Sequence, residues 1–224
     1  MIIGIGGGDQ RKGETKAIDT FALESTGKMA PRVLFLPTGT RDSPEYAASA
    51  EAVFREMGVA SFRSLLLTRN PSPQVVDEVL GDADLVYLGG GGAPLIAKHG
   101  ARYNLGERLV RALDRGAVLA GISGGAIALF QGGVGAYNGY QDLPGWGLAP
   151  GFVLPHFHPG EESVFGERWF SAHPQDTLFG IEDGAALVWD RGHLRVVRSR
   201  SGAEVWQVGL RGGKPWAMAV SGGG

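Results

Sequence analysis

Ser123 stands in the run Gly121-Ile122-Ser123-Gly124-Gly125, a GxSxG arrangement. A serine hydroxyl becomes a nucleophile when it is exposed, faces a base, and has donors ready for the oxyanion its attack creates. Flanking glycines meet the first need, because side chains there would crowd the strained turn that lifts the hydroxyl. An apolar run at 117–120 precedes the motif and a helix-like run at 126–130 follows it. The serine is therefore expected on a sharp strand-to-helix turn, with the Gly124 amide aimed at the oxyanion near the positive end of the helix. The chemistry this predicts is acyl transfer.

The base must be one of five histidines. His99, His173 and His193 fall in helix-like, loop or turn contexts and read as surface residues. His156 and His158, in Val153-Leu154-Pro155-His156-Phe157-His158, follow a short apolar strand, the place for a general base at the mouth of a sheet. Their alternate spacing also suits a metal pair, with Glu161 or Glu162 as a further ligand, but no recognisable metal spacing follows and no metal is expected. An acid that orients the histidine has three candidates. Glu182 and Asp183 lie between two strands, and Asp142 lies in the loop after the elbow helix.

Two glycine clusters follow other strands. Gly89-Gly90-Gly91-Gly92 precedes the elbow strand, and in a parallel sheet its bare amides can lie beside Ser123 as the second half of an oxyanion hole. Gly6-Gly7-Gly8 does not open straight into a helix, and the second strand ends in Leu36-Pro37-Thr38 without an acid. A dinucleotide site is not expected there; a tight turn that lets a loop close over a site is.

These residues need a scaffold. Continuous apolar runs at 2–5, 33–36, 62–67, 85–88 and 118–122 read as buried strands. Helical patterns at 15–24, 44–57, 73–80 and 107–115 separate them, the second opened by Ser43 and Pro44. The alternation predicts a doubly wound α/β fold with a mostly parallel sheet and sites at the C-terminal strand ends. Short strand candidates at 177–181, 185–189, 194–198 and 204–208, separated by glycine turns, predict a hairpin-rich C-terminal edge. The expected organisation is one domain over 1–220 and a flexible tail at 221–224.

Composition excludes several classes. A net charge of -2 offers no basic footprint for nucleic acid, and no run approaches the roughly 20 apolar residues of a membrane span. The absence of cysteine removes disulfides, thiolate metal sites and a cysteine nucleophile. A start without a basic segment and long apolar run gives a cytoplasmic expectation.

Taken together, Ile3-Gly4-Ile5-Gly6-Gly7-Gly8, Pro31-Arg32-Val33-Leu34-Phe35-Leu36-Pro37-Thr38, Tyr87-Leu88-Gly89-Gly90-Gly91, Gly121-Ile122-Ser123-Gly124-Gly125-Ala126 and Leu154-Pro155-His156-Phe157 resemble, in order and context, the peptidase family of dipeptidase E and cyanophycinase (family S51). The resemblance implies a flavodoxin-like scaffold similar to class I glutamine amidotransferases. It implies Ser123 as nucleophile, His156 as base, an oxyanion hole from Gly91 or Gly92 with Gly124, and an acid in the Glu182-Asp183 pair, with Asp183 favoured. It also implies a serine-type hydrolase of short peptides with no cofactor. The expected partner is a small peptide; a homodimer is left open.

Three departures stand out. Gly124 replaces the family's usual alanine, Gly92-Ala93 replaces an Asn-Thr pair, and the arginine that holds an amino-terminal aspartate has only Arg168, in a poorly matching context, as its equivalent. Aspartyl dipeptides are one expected substrate. Cyanophycinase-like, other amidase or esterase activity, and ligand binding without catalysis, are the alternatives.

Overall fold

The computed structural model describes residues 1–135 and 140–220. Its first half alternates strand and helix: β1 (Ile2–Ile5), α1 (Lys16–Glu24), β2 (Arg32–Leu36), α2 (Pro44–Glu56), β3 (Ser61–Ser64), α3 (Pro73–Asp82) and β4 (Leu85–Leu88). Two helices, α4 (Ala93–Arg102) and α5 (Leu105–Asp114), then lead to β5 (Val118–Ile122) and α6 (Gly124–Leu129). Local chemistry sets the helix starts. The Ser43 hydroxyl accepts the Tyr46 amide and the Ser72 hydroxyl accepts the Val75 amide, each with proline at the next position.

The second half contains β6 (Gly132–Gly135), β7 (Gln141–Pro144), β8 (Phe152–Pro155), α7 (Glu162–Ala172), β9 (Leu178–Ile181), β10 (Ala185–Asp190), β11 (His193–Arg198), β12 (Val205–Arg211) and β13 (Lys214–Ala219). Strands β1, β5, β4, β2 and β3 run parallel in a seven-stranded sheet of order β11-β10-β1-β5-β4-β2-β3. Because side chains alternate across a strand, Val33 and Phe35 enter one core with Ile18 and Phe54, while Leu34 and Leu36 enter another with Leu80 and Leu109. Helices therefore cover both faces, as the sequence predicts for strands apolar on both sides.

The hairpin-rich segment divides between two sheets. Strands β10 and β11 extend the first sheet antiparallel to β1. Strands β12 and β13 instead continue a six-stranded sheet of order β13-β12-β9-β8-β6-β7, in which β6, β8 and β9 are parallel. Val205 and Val208 of β12 are buried on that sheet, and Val208 shares a core with Phe157, Phe165 and Trp169. Five elements lacked a sequence signal, among them β7, which carries Asp142 where the sequence predicts a loop. Strand β6 is almost all glycine because a Cβ at Gly133 would run into the Val153 carbonyl and the Ile127 side chain, so packing overrides strand propensity. Helix α4 follows directly on the glycine run with no side-chain cap. Helix α7 carries Ser163 and Gly166, the latter against Pro215. Strand β13 carries Pro215. Strand β3 ends at Ser64 rather than at 67, and Leu67 is buried in a short turn instead. The tail expected at 221–224 lies outside the described residues.

Candidate active site

The parallel register places the ends of three strands side by side, with Ile5 opposite Ile122 and Leu88 opposite Gly121. Ser123 is the residue that follows β5, and its amide donates to the Ile5 carbonyl at 2.9 Å. Its backbone has φ 54 and ψ -118, an uncommon conformation for a residue with a side chain. The neighbouring glycines have a steric cause. A Cβ at Gly121 would strike the Gly125 carbonyl, and one at Gly125 would strike the Leu88 carbonyl. The helix begins immediately, so the hydroxyl projects from the turn at the positive end of α6.

His156 comes from the other sheet. Strand β8 pairs with β9 as far as Pro155 and Ile181, after which His156 turns into the left-handed region with φ 57. Phe157 anchors this turn: it is fully buried against Gly180 and its amide donates to the Ile181 carbonyl at 3.1 Å. With the phenyl ring locked inward, the imidazole is thrown outward over Ser123. His156 Nε2 lies 2.9 Å from Ser123 Oγ, and Nδ1 lies 2.7 Å from Asp183 Oδ1. A carboxylate accepts only, so Nδ1 carries the proton and Nε2 presents its lone pair to the hydroxyl.

Asp183 follows β9 and bridges to Gly7, and the Gly184 amide donates to the Gly7 carbonyl at 3.0 Å. The His156 hydrogen bond holds the Asp183 carboxyl below its usual range, against the opposing effect of partial burial; His156, His158 and Arg200 add favourable charge. Gly7 lies directly beneath the pair. A Cβ there would overlap Asp183 Oδ1 and the His156 ring. Gly6 likewise admits the carbonyls of Ile181 and Glu182.

The glycine run after β4 packs alongside. A Cβ at Gly90 would reach Ser123 Cβ at 3.4 Å. Within this run Gly89 donates to Leu36 O at 2.9 Å, Gly90 to the Tyr46 hydroxyl at 3.1 Å, and Gly92 to Gly39 O at 2.9 Å. The Gly91 amide has no protein acceptor among the described residues, and Gly124, as the first residue of its helix, has no intrahelical one. Next to Ser123 a cavity of about 210 Å3 opens between Ala93, Ile127, Val134, Leu154 and Pro155, with Glu161 in its wall. The arrangement can deprotonate a serine, stabilise an oxyanion and hold a small acyl group.

The description of peptidase family S51 matches residues 2–197. The chain belongs to peptidase family S51. It is 29% identical over 217 residues, 93% of this chain and 91% of the other, to the uncharacterized peptidase YgaJ of Bacillus subtilis (strain 168). Two solved structures share its fold. A peptidase from an acI-B1 actinobacterium aligns with a TM-score of 0.68 at 20% identity, covering 98% of this chain and 96% of that one. A proposed peptidase E of Listeria monocytogenes EGD-e aligns with a TM-score of 0.65 at 14% identity, covering 88% and 97%. The S51 chain is thus a peptidase, a hydrolase of peptide bonds, on a mixed α/β scaffold.

Several residues considered from sequence lie apart from the Ser123-His156-Asp183 array in this S51 peptidase. Glu182 faces the opposite way from Asp183, accepting the Trp206 indole N–H at 2.8 Å and approaching Arg200 at 3.5 Å. Consecutive residues of an extended segment point to opposite sides, so only one of the two can reach His156. Asp142 lies 3.2 Å from His173 Nε2, and that ring is stacked on Trp169 rather than free on the surface. Arg168 lines a separate cavity with Tyr140, Asp142 and Trp169, whose wall shares only Val134 with the Ser123 cavity. Gly92 spends its amide on Gly39, which narrows the candidate oxyanion donors to Gly91 and Gly124. His158 is exposed. Among the described residues no group of three or more His, Cys, Asp or Glu is placed to hold a metal ion, and no helix is long and apolar enough to cross a membrane. Sequence reading missed Gly39, Tyr46 and the steric role of Gly7; no motif links these distant positions to Ser123.

Proposed function

We propose that this peptidase is serine-type and cleaves short peptides through an acyl-enzyme on Ser123. The observation that carries the reading is the linear array of Ser123 Oγ, the His156 ring and Asp183 Oδ1, at 2.9 and 2.7 Å. His156 Nε2 takes the hydroxyl proton as Oγ bonds to the peptide carbonyl carbon. The carbonyl oxygen becomes an oxyanion, and the Gly91 and Gly124 amides are the donors available to it. Asp183 holds the ring in the productive tautomer and stabilises the imidazolium. Collapse of the tetrahedral intermediate breaks the C–N bond, and His156 passes its proton to the departing amine. Water, deprotonated by the same nitrogen, then attacks the ester, and as the C–O bond breaks His156 passes that proton to Ser123 Oγ.

The cavity of about 210 Å3 beside Ser123 is of a size suited to one acyl residue. The restriction to short peptides rests on the family resemblance. Steady-state hydrolysis of a dipeptide panel by the wild type and Ser123→Ala tests the reading. Turnover should fall by about 10⁴-fold or more, with the circular dichroism spectrum unchanged. Normal turnover by the variant would remove Ser123 from the mechanism.

A further inference from the structure

The wall of the Ser123 cavity is apolar except at the catalytic end and at one other place. Ile127, Val134, Leu154 and Pro155 offer no polar side chain, and among the described residues that line it the only titratable side chain apart from His156 is Glu161. Glu161 immediately precedes α7 and lines the cavity, and its Oε2 accepts the His158 amide at 3.1 Å, which orients the carboxylate. No Lys or Arg forms an ion pair with it among the described residues. Arg168, the one cation considered for an acidic substrate, lines the other cavity.

We infer that Glu161 is a specificity-determining residue that selects a cationic acyl group, so that the residue whose carbonyl Ser123 attacks brings a positively charged nitrogen into this cavity. The inference rests on the serine-peptidase reading and names its substrate class. An aspartyl side chain in the same space would set two carboxylates together between apolar walls, where like charges repel. An ammonium or guanidinium group would instead make a charge-assisted hydrogen bond to Glu161 while its methylenes lie along Ile127 and Leu154. The charged nitrogen is the side chain's, because an aspartyl dipeptide carries the same α-ammonium and an α-ammonium contact alone would not separate it from a lysyl one.

The test compares Lys-Ala, norleucyl-Ala, N-acetyl-norleucyl-Ala and Asp-Ala, with wild type and Glu161→Gln. Glutamine keeps an oxygen for the His158 amide and removes the charge. Wild type should favour Lys-Ala over Asp-Ala by about tenfold or more in kcat/KM, and Glu161→Gln should compress that ratio toward one. Equal kcat/KM for Lys-Ala and norleucyl-Ala would overturn the inference, and a Glu161-dependent loss on acetylation alone would place at Glu161 an α-ammonium common to all free dipeptides instead. A norleucyl-Ala value well below that of Lys-Ala, with the difference removed by Glu161→Gln, upholds it. Calorimetric titration of Ser123→Ala and of Ser123→Ala/Glu161→Gln with the same peptides separates the two claims. Preferential, Glu161-dependent binding of Lys-Ala over both norleucyl-Ala and Asp-Ala without wild-type turnover upholds the cavity assignment and defeats the catalytic one. Turnover with ratios that Glu161→Gln leaves unchanged, or an Asp-Ala preference, overturns the assignment and leaves catalysis standing. Neither binding nor turnover overturns both.

Discussion

At the scale of single residues, the site is built from backbone conformations that side chains ordinarily avoid. Ser123 and His156 both occupy positive φ, at 54 and 57, each at a cost of about 1–3 kcal/mol that the surrounding packing must offset. Gly7 adds a steric commitment of a different kind, since its missing side chain is the space the His156-Asp183 pair fills. Gly7→Ala should therefore leave the protein folded but reduce kcat/KM by about 10²-fold or more, by displacing the base from Ser123. Kinetics beside circular dichroism checks this. Asp183 gives a second prediction. Its carboxyl titrates below the usual range when folded, so it contributes stability that is present above the unfolded value of about 3.9 and is lost as pH falls through the depressed folded value. Asp183→Asn should flatten that acid limb in melting curves taken across the same range and lower kcat by about 10²–10⁴-fold, because the amide no longer fixes the tautomer.

At the scale of elements, the loop after β4 must present one amide while spending its neighbours. Tyr46, on α2, accepts the Gly90 amide at 3.1 Å and so ties that loop to a helix. Tyr46→Phe should lower kcat about tenfold with KM nearly unchanged, as expected when an oxyanion donor loses its positioning rather than the substrate its contacts. A parallel fall in affinity would argue for a structural role alone. Gly124, where the S51 resemblance leads one to expect alanine, also has a local cause: a Cβ there would overlap the Gly91 carbonyl. The glycine belongs to the loop's close approach.

The elements show what the sequence could and could not disclose. Strands β1, β2, β4 and β5 were legible because uninterrupted apolar runs ending at glycine or proline leave little choice of structure. Ser123 and His156 were legible because each ends such a run. The choice between Glu182 and Asp183 was not, since it depends on which face of an extended segment meets Gly7. Tyr46 and Gly39 were invisible because a chain read in order does not reveal which loops meet. Strand β6 was hidden by its own glycines, which serve the packing of Val153 and Ile127 rather than strand propensity.

At the scale of the molecule, the candidate site lies where two sheets meet. Ser123 leaves the seven-stranded sheet, whereas His156 and Asp183 leave the six-stranded one, so their alignment depends on how the sheets dock. Helix α6 lies between them, and Phe130 at its end is fully buried with its ring over Gly4 of β1. Phe130→Ala should cost about 3–5 kcal/mol and lower the melting temperature by about 10 °C. A kcat/KM reduced well below the melting transition would show that docking sets the triad geometry; full activity in the cold would show that it does not.

The central claim is that Ser123 is an activated nucleophile. Peptide mapping after brief exposure to a fluorophosphonate tests it most directly, because such reagents trap a serine only where a base and an oxyanion hole are in place. One adduct should form, on the peptide containing Ser123, absent in Ser123→Ala and slowed in Asp183→Asn. An unmodified Ser123, or equal labelling of the alanine variant, would contradict the account.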